Sequence, residues 1–304
     1  MKEFEFIKLV EKEHNKDNLI GDDAALVYDN LLISKDILVE NIHFLKTTPL
    51  KYVIHKLFTS NISDIASMGG KSEYVFLGIA VDNHEILESM AQYIKNECEK
   101  YNVVLAGGDT SSSKSGLFLS LTVLGKKGMY EIKRSGAKAG DIIFISRPVG
   151  KCRISLEKEL NIYNFNIDKY YHYSVNAEDK LGYLLSYFDF ISSMTDISDG
   201  LSTDLYNILE SSQKKGVLNY ESLPLYELND YKIDALEYFL SSGEEYALLF
   251  TVDSAYADYV KEYVKNNLNQ DIFAIGKVEE GSGLFLEKNG HMQSILKSGY
   301  QHFK

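Results

Sequence analysis

Apolar residues recur along this chain with two periods that alternate from segment to segment. Between Leu50 and Met68 the residues Val53, Ile54, Leu57, Phe58, Ile62 and Ile65 repeat at helical spacing and cover much of the circumference. That pattern predicts a helix buried between layers. Around it, "AALVYDNLLISKDILV" (24–39) reads as two strands, and "YVFLGIAVD" (74–82) and "LFLSLTVLG" (117–125) as two more, the latter after a second helix. The opening "MKEFEFIKLVEKEHNK" also has helical spacing, with charges too frequent for a secretory leader. Near "KRSGAKAGDIIFIS" (133–146) two glycines and several small residues precede a new strand, which predicts a seam between domains 1–137 and 138–304. The second half continues through a Tyr- and Asn-rich stretch (161–176), a strand and turn in "ISSMTDISDGLSTDL" (191–205) and the strand "YALLFTVD" (246–253). A helix at about 255–267, the strand "IFAIGKV" and a hairpin around "EKNG" close it. The expectation is a two-domain chain of mixed α/β class.

Composition narrows the function. A length of 304 residues supports two cores better than one. No apolar run approaches the length needed to cross a bilayer, so no membrane partner is expected. Cys98 and Cys152 are too few for a disulfide framework, which fits a cytoplasmic protein. The formal net charge of −12 argues against nucleic acid, whose binding rests on basic patches. It leaves small phosphates open, because magnesium bridges carboxylates to phosphate oxygens.

Acidic residues gather where strands give way to turns: Asp22 and Asp23 in "IGDDAA", Asp36, Asp109 in "AGGDTS", and Asp196 and Asp199 in "TDISDG". Singly, each reads as a turn residue or a helix cap. Asp64 differs, since a carboxylate on an apolar helix, three residues from Asn61, costs several kcal/mol without compensation. The glycines of "AGGDT" and "ISDGL" are expected to bring backbone N–H groups to a phosphate, with the helix after Gly200 adding its positive end. The two commonest nucleotide loops, GxxxxGK[ST] and GxGxxG after a strand, are absent.

The ordered series "IGDDAA", "DILVENIHF", "NISDIASMGG", "AGGDTS", "RSGAKAGD", "DISDGLSTDL", "SGEEYALLF" and "GYQHF" resembles the thiamine-monophosphate kinase family of the aminoimidazole-ribonucleotide-synthetase-like superfamily, over nearly the whole chain. The resemblance implies a two-domain α/β (α+β) fold and a homodimer through the N-terminal sheets. It also implies ATP-dependent, in-line phosphorylation of thiamine phosphate to thiamine diphosphate with several Mg2+ ions. Carried over by position, the metal ligands are expected to be Asp22, Ser34, Asp36, Asp64, Asp109, Asp196 and Asp199. Nucleotide contacts are expected from Gly108, Asp109, Arg134 and Ser198. His43, Glu244 and Tyr300 are expected at the thiamine end, although by themselves they read first as a core histidine, a turn acid and C-terminal packing. No dedicated general base is implied, because phosphoryl transfer rests on positioning and charge neutralisation.

This chain departs from the family pattern in several places. Lys35 stands where Thr is usual, Glu245 where the family has Asp, Arg147 in "SRPVGKC" replaces a glycine, and "HYSVNAEDK" replaces a Pro- and Arg-bearing stretch. Lys35 is expected either to enter the carboxylate cluster or to run out to solvent. The competing reading is a binding protein of the same fold, a nucleotide or thiamine-phosphate sensor without turnover.

Overall fold

A computed structural model describes residues 19–228, 231 and 233–299, with Phe6, Leu9, Val10, Lys12 and Glu13 near the N-terminus. The first half forms a five-stranded sheet of β1 (Ala25–Val27), β2 (Leu31–Val39), β3 (Lys71–Val81), β4 (Val104–Ser112) and β5 (Phe118–Lys126), in the order β1-β2-β5-β3-β4. All its pairings are antiparallel except β3 with β4, which the helix α2 (Leu87–Tyr101) joins as a crossover. The long apolar helix α1 (Leu50–Ser67) starts after Pro49, whose fixed φ suits a helix entrance, and stops before Gly69 at φ +69.

Strand periodicity sorts β2 between two surfaces. Leu32, Ser34 and Leu38 are buried beneath α1, whereas Lys35 and Ile37 are exposed on the opposite face. The Lys35 ammonium donates to the hydroxyls of Ser120 (2.6 Å) and Thr122 (3.3 Å) on β5. Its neighbour Asp36 looks the other way, so Lys35 stays out of the carboxylate cluster.

"AGGDTS" is not a turn. It lies inside β4, an edge strand exposed along its whole length and paired in parallel with β3. The glycines serve that pairing: a Cβ on Gly108 would stand 2.0 Å from the Leu77 carbonyl oxygen.

The second half is a seven-stranded sheet of β6 (Ile142–Ile145), β7 (Ile191–Asp196), β8 (Lys215–Asn219), β9 (Leu248–Val252), β10 (Phe273–Glu279), β11 (Gly283–Lys288) and β12 (His291–Ile295), in the order β12-β11-β8-β10-β6-β9-β7. Its central strands are apolar on both faces because both are covered. Ile143, Ile145 and Leu249 pack under helix α6 (Leu201–Ser212), while Phe144, Met194 and Phe250 pack under α5 (Asp179–Leu185) and α8 (Ala257–Leu268). Asn289 and Gly290, both at positive φ, close the predicted hairpin between β11 and β12. The shorter helices α3 (Lys151–Glu159), α4 (Tyr171–Ser174) and α7 (Ala235–Ser241) complete this half. The connection from Lys126 to Ile142 belongs largely to it by packing, since Ile132 and Ala137 sit in its cores.

Helix α1 is shared between the halves. It packs on the first sheet and also meets α5, where Gly182 approaches so closely that a Cβ would lie 2.1 Å from the Ala66 carbonyl oxygen. The predicted burial between layers is therefore literal.

Candidate functional site

Four-residue spacing puts Lys56, Ser60 and Asp64 on one side of α1, and all three line a cavity of about 760 Å³ between the two sheets. β2 adds Asp36, β7 adds Asp196 at its last residue, and the turn after β7 adds Ser198 and Asp199. One carboxylate oxygen each from Asp23, Asp64 and Asp196 falls within 4.8 Å of the others. Small polar side chains orient them: Ser34 donates to Asp64 (2.8 Å), Ser63 to Asp196 (2.6 Å) and Thr195 to Asp23 (3.0 Å). Asn61 is fixed by its own amide to the Leu57 carbonyl and accepts the Asp36 backbone N–H at 2.9 Å.

These acids destabilise one another as anions. Burial, then the charges of Asp36, Asp196 and Asp23, raises Asp64 well above the usual carboxylate range. Burial and the Asp23 charge push Asp196 up to about 8 against the opposing hydrogen bond from Ser63. Burial likewise raises Asp36, with the Ser60 hydroxyl acting the other way. The second oxygen of Asp23 is buried with no hydrogen-bond partner. Crowded, hard oxygen donors with one buried oxygen unsatisfied fit a divalent cation of the magnesium type.

Asp22, expected as a ligand, is turned elsewhere, and its neighbour Asp23 takes the place beside Asp64 and Asp196. The Asp22 carboxylate accepts the backbone N–H of Arg134 at 2.9 Å, pinning the start of the inter-sheet connection. Adjacent residues in a turn point in different directions, and "GDD" alone does not say which one faces inward. Arg134 itself pairs with Asp23 and reaches the Gly21 carbonyl and the Thr195 hydroxyl. Burial works against its charge, but the Asp23 carboxylate outweighs that and holds the guanidinium protonated.

The turn after β7 is also built differently from expectation. The backbone N–H groups of Ser198, Asp199 and Gly200 all point at the buried carboxylate of Asp204, at 3.1, 3.2 and 3.1 Å. Asp204 thus occupies the donors expected to face a phosphate, and it holds Ser198 and Asp199 at the cavity wall. Sequence reading passed over it, since an acid in the first turn of a helix is commonplace.

Asp109 is the clearest displacement. It stands in register with Gly78, which is in register with Ser120, which is in register with Ile37 on β2. Three strand spacings separate it from Ile37, about 14 Å. Within one chain, Asp109 and its neighbour Gly108 do not join Asp36.

At the other end of the cavity, Val39 N–H donates to His43 Nδ1 at 3.0 Å, which assigns the ring proton to Nε2. Glu244 pairs with Lys56 at 2.5 Å, and the same ammonium donates to the His43 carbonyl at 2.7 Å. His43 and Glu244 line the cavity together with Ile42, Leu156 and Leu160. Lys56 was invisible as a site residue because a lysine in a helix usually reads as a solvent face. Tyr300 lies outside the described residues.

The family model for the N-terminal domain of AIR synthase related proteins matches residues 21–126, and that for the C-terminal domain matches residues 177–289. The thiamine-monophosphate kinase of Buchnera aphidicola subsp. Schizaphis graminum is 32% identical, over 99% of this chain and 98% of its own. That of Haemophilus influenzae is 33% identical, over 94% of this chain and 91% of its own. This chain belongs to the thiamine-monophosphate kinase family. A solved structure described as AaThiL complexed with AMPPCP and TMP has a TM-score of 0.84 at 28% identity, covering 99% of this chain and 97% of that one.

Two departures from the thiamine-monophosphate kinase pattern turn out to be tied together. The longer side chain of Glu245 reaches the start of α3, where it accepts from Gly150 N (2.7 Å), Cys152 N (3.0 Å) and the Ser242 hydroxyl (2.6 Å). Arg147 donates to the Glu245 carbonyl and pairs with Glu178. The longer acid at 245 and the arginine at 147 together brace the turn that carries Glu244.

Proposed function

We propose that this chain catalyses the ATP- and magnesium-dependent phosphorylation of thiamine phosphate to thiamine diphosphate by direct in-line transfer. The observation that carries this reading is the carboxylate cluster of Asp23, Asp64 and Asp196, with Asp36 and Asp199 beside it in the cavity, composed from both sheets. Further support is the likeness to a relative solved with AMPPCP, an ATP analogue, and TMP.

Asp23, Asp36, Asp64 and Asp196 would hold the cations, with Ser34 and Ser63 fixing the carboxylate directions. Bound magnesium supplies charge neutralisation where two anionic phosphates must approach and polarises the transferred group. Ser198 and Asp199, clamped by Asp204, form the wall nearest that end. His43, Glu244 and the apolar side chains of Ile42, Leu156 and Leu160 give the opposite end an apolar wall with an acid, suited to a cationic heterocycle. The acceptor phosphate is largely ionised at neutral pH, so no side chain is required to take its proton.

The reading includes a homodimer formed through the outer face of the first sheet. Ile37 (57% exposed), Tyr74 (46%), Phe76 (41%) and Phe118 (41%) give that face an apolar surface. It also includes cytoplasmic residence and two domains that meet in the 127–141 connection, within which the expected 137/138 division falls. Among the described residues no helix is long and apolar enough to cross a membrane, and both cysteines are free. The experiment is incubation of purified protein with ATP, magnesium and thiamine phosphate, with the product identified by mass. Thiamine diphosphate is expected, with free thiamine a poor acceptor. Phosphorylation of thiamine without activity on its monophosphate overturns the assignment, and nucleotide binding without turnover supports the sensor instead.

A further inference from the structure

Lys56 is buried on α1 at 3% exposure, although it carries an ammonium. A cation removed from water in this way persists only where fixed partners compensate it. Among the described residues it meets two polar partners from opposite halves of the molecule: the carbonyl of His43, just after β2, and the carboxylate of Glu244, just ahead of β9. The ring of Tyr173 lies below it at 5.2 Å. Glu244 holds a left-handed backbone conformation at φ +56, unusual for a residue with a Cβ, and its N–H donates to the Ser198 carbonyl at 2.7 Å. The turn fixes where Glu244 starts, and Lys56 fixes where its carboxylate ends.

We propose that Lys56 is a positioning residue for the acceptor substrate: its single charge holds the Glu244 carboxylate and the His43 loop in register across the cavity. The inference rests on the substrate reading given above. Lys56 stands two helical turns from Asp64, about 12 Å along α1. Its influence therefore falls on the acceptor end of the cavity and spares the carboxylate end. A lysine suits this task because it offers three donors and no acceptor, so it bridges a carbonyl and a carboxylate without competing for a cation.

The test is steady-state kinetics of Lys56→Met, Glu244→Gln and the double variant, with thiamine phosphate and ATP varied in turn. Lys56→Met is expected to raise KM for thiamine phosphate about tenfold while KM for ATP stays within about twofold. The double variant is expected to match the worse single variant, because both substitutions break one unit. Equal rises in both KM values, or additive effects in the double variant, overturn the proposal and leave Lys56 as a packing residue. Where Lys56→Met fails to fold, Lys56→Gln, which keeps a donor for the His43 carbonyl but not the charge, is expected to give the same KM split. Wild-type protein without turnover defeats the substrate reading and this inference together. Wild-type turnover with an unchanged KM for thiamine phosphate in the variant defeats this inference alone.

Discussion

Ser63 on α1 donates a hydrogen bond of 2.6 Å to Asp196 at the end of β7, so a side chain from the helix of the first half sets the direction of a carboxylate from the second. The cluster depends on the two sheets being docked. Removing the hydroxyl takes away the bond that both orients Asp196 and favours its ionised form, without removing a carboxylate from the site. Ser63→Ala is expected to raise the magnesium needed for half-maximal turnover about tenfold. Magnesium titrations of initial rate measure it, and an unchanged half-saturation point rejects the orienting role.

Asp23 and Asp22 are neighbours with opposite expected phenotypes. Asp23→Asn removes a charge from the three-carboxylate group and is expected to lower turnover at limiting magnesium by about a hundredfold, as is Asp64→Asn. Asp22→Asn keeps an oxygen for the Arg134 N–H and is expected to stay within a few-fold of the parent. Rates for the three variants at one low magnesium concentration decide the matter. A severe loss in Asp22→Asn restores the ligand role expected from sequence.

The shifted acids predict how stability depends on pH. Asp196 gives up its proton near 3.8 in the unfolded chain but holds it to about 8 in the fold, so between those values the native state binds more protons. Stability from this residue is therefore complete at low pH and declines as pH rises through that window. In thermal melts with a chelator present, Asp196→Asn should flatten the decline seen for the parent. Saturating magnesium, which favours the ionised carboxylates, is expected to raise the parent's Tm most at the alkaline end. A parent Tm that climbs steadily from about pH 4 to 8 in chelator, with the variant parallel to it, contradicts the assignment.

Lys35 lies on the opposite face of β2 from Asp36, hydrogen-bonded to Ser120 and Thr122. Lys35→Thr is therefore expected to leave the magnesium titration of turnover superimposable on the parent's. The substitution instead removes a charge from the face assigned to dimer contact, and light scattering is expected to show an equal or tighter dimer. A displaced magnesium curve returns Lys35 to the site.

The chain's periodicities determined a good deal by themselves. Helical spacing in 50–68 gave a helix buried between layers, alternation gave most of the strands, and the apolar pattern of that helix marked Asp64 as an acid costly to bury. Asn-Gly at 289–290 fixed a hairpin by backbone conformation alone. These features are local, set by sterics and by the arithmetic of 3.6 and 2 residues per repeat. Direction and company are not local. Whether Asp22 or Asp23 faces Asp64 depends on how one turn meets Arg134, and whether Asp109 reaches Asp36 depends on three strand spacings. Lys56 became part of the site only when His43 and Glu244, about two hundred residues apart in sequence, closed on one ammonium. Tertiary packing decided these because burial in a shared cavity, and not residue type, sets which polar groups must satisfy one another.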